Sequence, residues 1–344
     1  MKRLLIVVLC VFLLSANLNA LASTELIGAD STSRGAAGQL FGEAVAERFA
    51  ALTDGRCAID YHPNGDLGGD TDLIRQAQAN DIQIVVCQTA PLVSFIPRMA
   101  VFDLPMLFSK ADGDVIESVL NGDNEFRTAL EDAYRAAGLH LLGFLQNGTY
   151  RLTTAHVDLS APEDFRNLQI RTMENSNHMA FWTAIGAQPT PMPWAEVYIS
   201  LQNGTIDAQE NAADTCVGAS LQEVQEYIAC TNHILYCNQI CISEAAWSAL
   251  EPDDQAALEQ AVAEATAELR PQLKQIDLDA KHALTDGGMR LIEYDDAFFD
   301  AILETDAMRA LYREIDENQT SGLGTILRDA RNKAAQAKRN FAES

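Results

Sequence analysis

An α/β fold in two lobes, with a cleft between them, is predicted by three features of this 344-residue chain. Strand and helix patterns alternate over residues 25–87, the mark of a parallel sheet covered on both faces. Cys230–Ile242 reads as one extended run, long enough to serve both lobes. Glu244–Lys281 reads as a long helical brace with a break at Pro271, which lacks the N–H that a helix needs. Residues 23–148 with about 237–276 are assigned to the first lobe, and 149–236 with about 277–344 to the second.

Glu25–Ala29 is the first strand. Ala36–Leu52 is a helix with Leu40, Phe41, Ala44, Val45 and Phe49 on one face. Cys57–Tyr61 is a strand, and the turn-rich loop His62–Gly69 leads into a helix capped by Asp70 and running to Ala79. Asp81–Cys87 is the third strand. Ligands of open parallel sheets gather beyond the carboxyl ends of the strands, which places Asp30–Ser33 and Gln88-Thr89 at a cleft rim. Val101–Phe108, apolar and broken by Pro105, is read as buried packing. Helices over Gly113–Leu120 and Glu125–Ala137 and a strand at His140–Leu145 follow. The second lobe opens at Tyr150-Arg151. Its key stretch runs from a short apolar strand ending on Arg171, through a helix at Asn175–Ile185, to a segment at Gly186–Trp194 with three prolines. A helix at Glu196–Gly204 is closed by its glycine, and Ile206–Asn211 ends the stretch. A helix around Thr215–Tyr227, a strand at Met289–Tyr294 and helices near Asp296–Glu314 and Leu323–Phe341 complete the chain.

Met1–Ala22 has the form of a cleavable secretory signal: Lys2 and Arg3, an apolar run Leu4–Leu14, and Ala20-Leu21-Ala22. The run is shorter than the ~20 residues that span a bilayer. Without this segment the chain carries 22 basic and 49 acidic residues, a net charge of −27. Such a surface repels nucleic acid and anionic lipid. It also makes an arginine near a pocket conspicuous. An export compartment permits disulfides among Cys57, Cys87, Cys216, Cys230, Cys237 and Cys241. Buried thiols and one or two bridges both stay open. Cys237 and Cys241 are excluded as a pair, since four extended residues at ~3.3 Å each separate them by about 13 Å. No metal-knuckle spacing, histidine cluster, phosphate loop, dinucleotide fingerprint or nucleophile elbow is present. Neither metal nor cofactor is expected.

Arg171 is the chemical oddity. A guanidinium at the end of an apolar strand keeps its charge and needs an anionic partner. Arg151 lies twenty residues earlier beside another extended run. Two structural salt bridges, or two forks gripping one ligand carboxylate, both satisfy these residues. Trp194 could line a pocket, though a lone aromatic is more often core.

The residue order resembles the substrate-binding proteins of tripartite ATP-independent periplasmic (TRAP) transporters, in their dicarboxylate-binding, DctP-like class. The likeness rests on Arg171, Gly186-Ala187-Gln188-Pro189-Thr190-Pro191-Met192, Trp194 before Glu196-Val197-Tyr198, Leu201-Gln202 before Gly204 and Ile206-Asp207, and Gln209-Glu210-Asn211. It extends to Leu67–Asp70, Asp81-Ile82, Phe102–Phe108 and Arg151. The resemblance implies a two-lobed, type II-like periplasmic-binding-protein fold that closes on an organic acid. It implies Arg171 as the carboxylate clamp, Arg151 as its second, Asn211 as a polar contact and Trp194 as an aromatic wall. Gln88 stands where sialic-acid binders carry a glutamate, and Glu174, with Asn175 beside it, where they carry an asparagine. Those departures argue against sialic acid. Asp30 and Asn238 complete the candidate ligand-binding set. The expected function is periplasmic capture, by a monomer, of a small carboxylate-bearing acid, with a sugar acid such as a uronate favoured. TRAP membrane permease subunits would receive it. The alternative is an exported partner of a sensor receptor for the same acids. An enzyme would need a base or nucleophile beside the arginines, and none is identified.

Overall fold

The computed structural model describes residues 24–108, 112–146 and 148–342, with side chains to 339. The signal-peptide reading of 1–22 lies outside these residues. The chain begins with β1 (Thr24–Ala29), α1 (Ala37–Leu52), β2 (Cys57–His62), α2 (Asp70–Ala79) and β3 (Ile84–Gln88), then α3 (Gly113–Leu120), α4 (Glu125–Ala136) and β4 (Leu139–Leu145). It leaves for a second sheet through β5 (Leu152–Ala155), β6 (Gln169–Thr172), α5 (Ser176–Ala184), β7 (Gln188–Pro191), α6 (Val197–Gln202), β8 (Ala208–Asn211), α7 (Ala213–Gly218) and β9 (Tyr227–Ala229). β10 (Asn238–Ser243) returns to the first sheet. Then come α8 (Glu244–Ala249), α9 (Pro252–Leu269), α10 (Leu273–Asp286), β11 (Arg290–Ile292), α11 (Asp296–Leu303), α12 (Asp306–Arg313) and α13 (Leu323–Ala342).

The first sheet has the order β2-β1-β3-β10-β4 and the second β11-β9-β5-β8-β6-β7. β1 is parallel to β2 and β3, whereas β10 is antiparallel to β3 and β4. The chain therefore crosses between sheets more than once, as the fold reading expects. β3 and β10 are buried along their whole length, which explains their continuous apolar and small polar character. The 101–108 segment is buried packing as expected: Phe102 packs against Phe108, Phe126 and Phe144.

Four expectations are revised. Cys230–Ile242 is not one strand. The second sheet takes 227–229, the first takes 238–243, and the residues between cross over. Asn232 sits at φ 44°, and the crossing backbone is tied instead to the start of the second lobe, with Arg151 N bonded to Ile234 O and Tyr236 N to Thr149 O, each at 2.9 Å. The helix expected over 215–227 ends at Gly218, and Ser220 turns left-handed at φ 55°. The proline segment contains an edge strand, β7, where the missing N–H groups face no neighbour. The last helix, placed with the second lobe from sequence, packs on α3 and α4 beside the first sheet.

Pro271 breaks the brace into α9 and α10. α9 packs on α1 and β4, and α10 on α7, so each half supports a different sheet. α1 crosses β2 at Gly42, where a Cβ would stand 2.0 Å from the Tyr61 hydroxyl. That hydroxyl donates to Asp30 Oδ2 at 2.8 Å. Gly42→Ala should therefore cost about 1–3 kcal/mol by overpacking and lower the melting temperature by several degrees. An unchanged melting curve would refute this close-packing argument.

Candidate functional site

β6 delivers Arg171 to the space between the sheets. The side chain is buried. Its Nε and Nη2 donate to the Met192 carbonyl at 2.9 and 2.6 Å, and its Nη1 is buried without a hydrogen-bond partner. The guanidinium carbon lies 5.4 Å from the centre of the Trp194 ring, a cation–π distance. Both residues line a cavity of about 750 Å³, to which the first lobe contributes Ser31, Ser33, Asp70 and Thr71. This volume suits a small-molecule site, typically ~300–1,000 Å³. The two lobes touch around it. Trp194 Nε1 donates to Ser33 Oγ at 2.9 Å, and Thr71 Oγ1 to Glu174 Oε2 at 2.9 Å.

Burial pulls the Arg171 guanidinium down to about 10, opposed by the nearby Glu210 carboxylate, so it remains a cation at neutral pH. Burial raises the Asp70 carboxyl to about 6, opposed by the Ser31 hydroxyl and by Arg171. Ser31 Oγ donates to Asp70 at 2.5 Å. One wall of the cavity thus includes a cationic residue that keeps a buried, unpartnered donor, and the other carries oxygen acceptors.

Arg151 does not line the cavity. Its Nε pairs with Glu210 Oε2, its Nη1 donates to Gln88 Oε1, and its Nη2 donates to the Glu210 carbonyl at 2.8 Å. In this structure a protein carboxylate therefore takes the place expected for a solute. Gln88 also donates to Asn211 Oδ1 at 3.2 Å, linking the two sheets. Glu174, exposed, lines the cavity. Three other candidates stand off the cavity wall. Asp30 accepts from Thr32 N, Thr32 Oγ1, Tyr61 and Asn64 N, and burial raises its carboxyl. Asn175 caps α5 and donates to Ala90 O and Asp103 Oδ2. Asn238 is buried in β10 beside Gly38 and is absent from the cavity wall.

The sequence reading missed Glu210 as a charged centre. It sits in β8, whose four residues are all buried. Besides Arg151 it meets His178 Nδ1 and His233 Nε2, each at 3.2 Å. Burial alone would raise its carboxyl, yet Arg151 and His178 hold it well below the usual range. An acid inside a short strand, in a chain with two strand-end arginines, was the available signal. Met192 was named only as part of a motif, and nothing in its side chain marks its carbonyl as the holder of Arg171.

The profile of the bacterial extracellular solute-binding protein family 7 matches residues 23–319. The chain belongs to this family. A solute-binding protein of Roseobacter denitrificans is 30% identical to this family 7 protein over 270 residues, covering 78% of this chain and 81% of the relative. The crystal structure of that relative, with bound L-galactonate, superposes with a TM-score of 0.78 at 27% identity, over 90% of this chain and 98% of that one. The sugar acid-binding protein of Advenella mimigardefordensis, in complex with galactonate, superposes with a TM-score of 0.83 at 25% identity, over 90% and 98% of the two chains. The C4-dicarboxylate-binding periplasmic protein of Rhodobacter capsulatus is 28% identical over 247 residues, 72% of each chain. The two-lobed binding-protein fold and the TRAP solute-binding function read from the Arg171 stretch are those of this family. Among the described residues of the family 7 protein, no helix is long and apolar enough to cross a membrane.

Proposed function

We propose that this family 7 protein captures a hydroxylated monocarboxylate, an aldonate or uronate, in the periplasm. It acts as a monomer, without covalent chemistry, and passes the acid to TRAP permease subunits. The observation that carries this reading is Arg171 Nη1, a buried charged donor without a protein acceptor on a residue that lines the cavity. Such a group is costly to leave unmet, and a carboxylate meets it. Trp194 would pack on the carbon frame. Ser31, Ser33 and Asp70 would accept from hydroxyls, while Asp70 and Glu174 would repel a second carboxylate. The galactonates held by the Roseobacter and Advenella relatives support this choice. Binding favours the closed form only by its differential affinity for it.

A thermal-shift series tests the substrate class. Ligand at ~100 times its dissociation constant adds about 2.7 kcal/mol of stability. D-Galactonate or D-glucuronate should raise the melting temperature, and succinate and malate should leave it unchanged. A larger shift with a dicarboxylate, or no shift with any acid, overturns the proposal.

A further inference from the structure

The buried charges below the cleft continue past Arg151 and Glu210. Asp103 ends a 3-10 turn, Pro97–Asp103, that packs on α4 beside the first sheet. Its Oδ2 accepts from Asn175 Nδ2 at 2.8 Å and from Asn177 Nδ2 at 3.0 Å. Its Oδ1 lies 3.2 Å from His178 Nε2. His178 Nδ1 lies 3.2 Å from Glu210 Oε1, and the other Glu210 oxygen pairs with Arg151. All four side chains are 0–1% exposed. Asp103 belongs to the first-lobe segment, and His178, Glu210 and Arg151 to the second.

The order of charge decides the state of His178. With a neutral imidazole, Asp103 would have no cationic partner among the described residues, and a neutral ring can donate to only one of the two carboxylates. An unpaired buried charge is strongly unfavourable. A protonated ring donates from Nδ1 to Glu210 and faces Asp103 with its charge, Nε2 lying 3.2 Å from Oδ1 without an aligned hydrogen bond, and the signs then alternate along the chain. We propose that His178 is a buried imidazolium that pins Asp103 of the first lobe to Glu210 of the second, thereby positioning Arg151 under the cleft and favouring the closed arrangement. This goes beyond solute capture and does not depend on which acid is bound.

The surrounding groups agree. From the crossover, His233 approaches Glu210, but burial lowers its affinity for a proton, so it adds no second charge at neutral pH. Arg171 on β6 lies beyond Glu210 and acts on it. On α12, which packs against α5, Asp306 pairs with Arg309 at 2.8 Å on an exposed face, and Arg313 is exposed. In the π-helical turn Glu314–Gln319, Gln319 bonds Asn177 in both directions at 2.8 and 2.9 Å, and Asp316 pairs with Arg328 at 2.9 Å. Burial alone would lower His178, but Glu210 and Asp103 outweigh it and push it up to about 9 from an ordinary 6.5. The folded state therefore holds this proton more tightly than the unfolded chain. Its contribution is complete below about 6.5 and is lost as pH rises through about 9.

Two measurements test the pin. The first follows the His178 ring proton by NMR against pH in the parent and in Asp103→Asn, which keeps the side-chain shape and removes one charge. The parent midpoint should lie near 9 and that of the variant clearly lower. The second places spin labels on Ala79→Cys in α2 and Ile199→Cys in α6, one per lobe, because the six cysteines among the described residues are buried. Pulsed dipolar distances should show a smaller closed fraction in His178→Gln and Asp103→Asn than in the parent at pH 7, and a falling closed fraction in the parent above pH 9. A midpoint that Asp103→Asn leaves unmoved, or one distance distribution for all three proteins, overturns the proposal. Should Asp103→Asn not fold, the parent decides: a midpoint above neutrality supports the pin, and one at or below 6.5 overturns it.

Discussion

Arg171→Met removes measurable solute binding and leaves the free protein at least as stable as the parent. The two halves of this expectation have separate causes. A hydrogen bond to a charged group contributes roughly 1.5–3 kcal/mol, and a carboxylate held by the Arg171 fork would lose more than one. The affinity loss should exceed a hundredfold. Arg171→Lys keeps the charge but loses the planar fork and should lose about tenfold to a hundredfold. In the free protein, burial makes the charged form of Arg171 unfavourable, and Nη1 has no hydrogen-bond partner. The Met192 carbonyl loses its two donors, which offsets part of the relief. The site thus holds strain in the empty protein that the solute relieves, a common exchange of stability for function. Calorimetric titration with the acid found by thermal shift, beside melting curves without ligand, separates the two effects. A variant that binds like the parent ends the clamp reading. One that fails to fold shows that Arg171 is structural.

Arg171 and Trp194 line one cavity, and the sequence could single them out because their signals are local. A strand-end guanidinium must find an anion, and a tryptophan opening a helix after prolines must pack on something. The alternating start of the chain was equally legible, since periodicity and turn residues act over a few positions. What failed depended on distant partners. Asn175 satisfied the resemblance, but its side chain caps its own helix and grips Asp103, seventy-two residues earlier. Arg151 was read toward a solute, yet Glu210 lies across the β5–β8 pair opposite Thr153, two residues from Arg151 and so on the same face. Strand pairing, which a single sequence does not display, decides that contact. The split of 230–242 into two strands was hidden similarly: its extended pattern continues through Thr231–His233, and only the crossover geometry shows where the ladder stops.

Glu210→Gln should destabilise the protein by about 3–5 kcal/mol at pH 7, the usual result of removing one member of a buried ion pair. The amide keeps the shape but leaves Arg151 buried without its counter-ion and His178 with one carboxylate instead of two. The pH dependence identifies the cause. Glu210 is held well below its ordinary 4.5 in the folded protein, so its contribution is present above 4.5 and is lost as pH falls through the lower folded value. Urea unfolding should therefore show the parent and Glu210→Gln far apart at pH 7 and converging in acid. A second comparison separates a stranded charge from a packing fault. Replacing both partners by apolar residues of similar size, Glu210→Leu with Arg151→Met, removes the stranded charge as well as the pair. Such replacements are often neutral or stabilising, so the double variant should be more stable than Glu210→Gln alone. Arg151 and Glu210 are in contact, so their effects should not add. If Glu210→Gln stays within about 0.5 kcal/mol of the parent, the span of ordinary surface changes, the buried chain of charges does not hold this fold together.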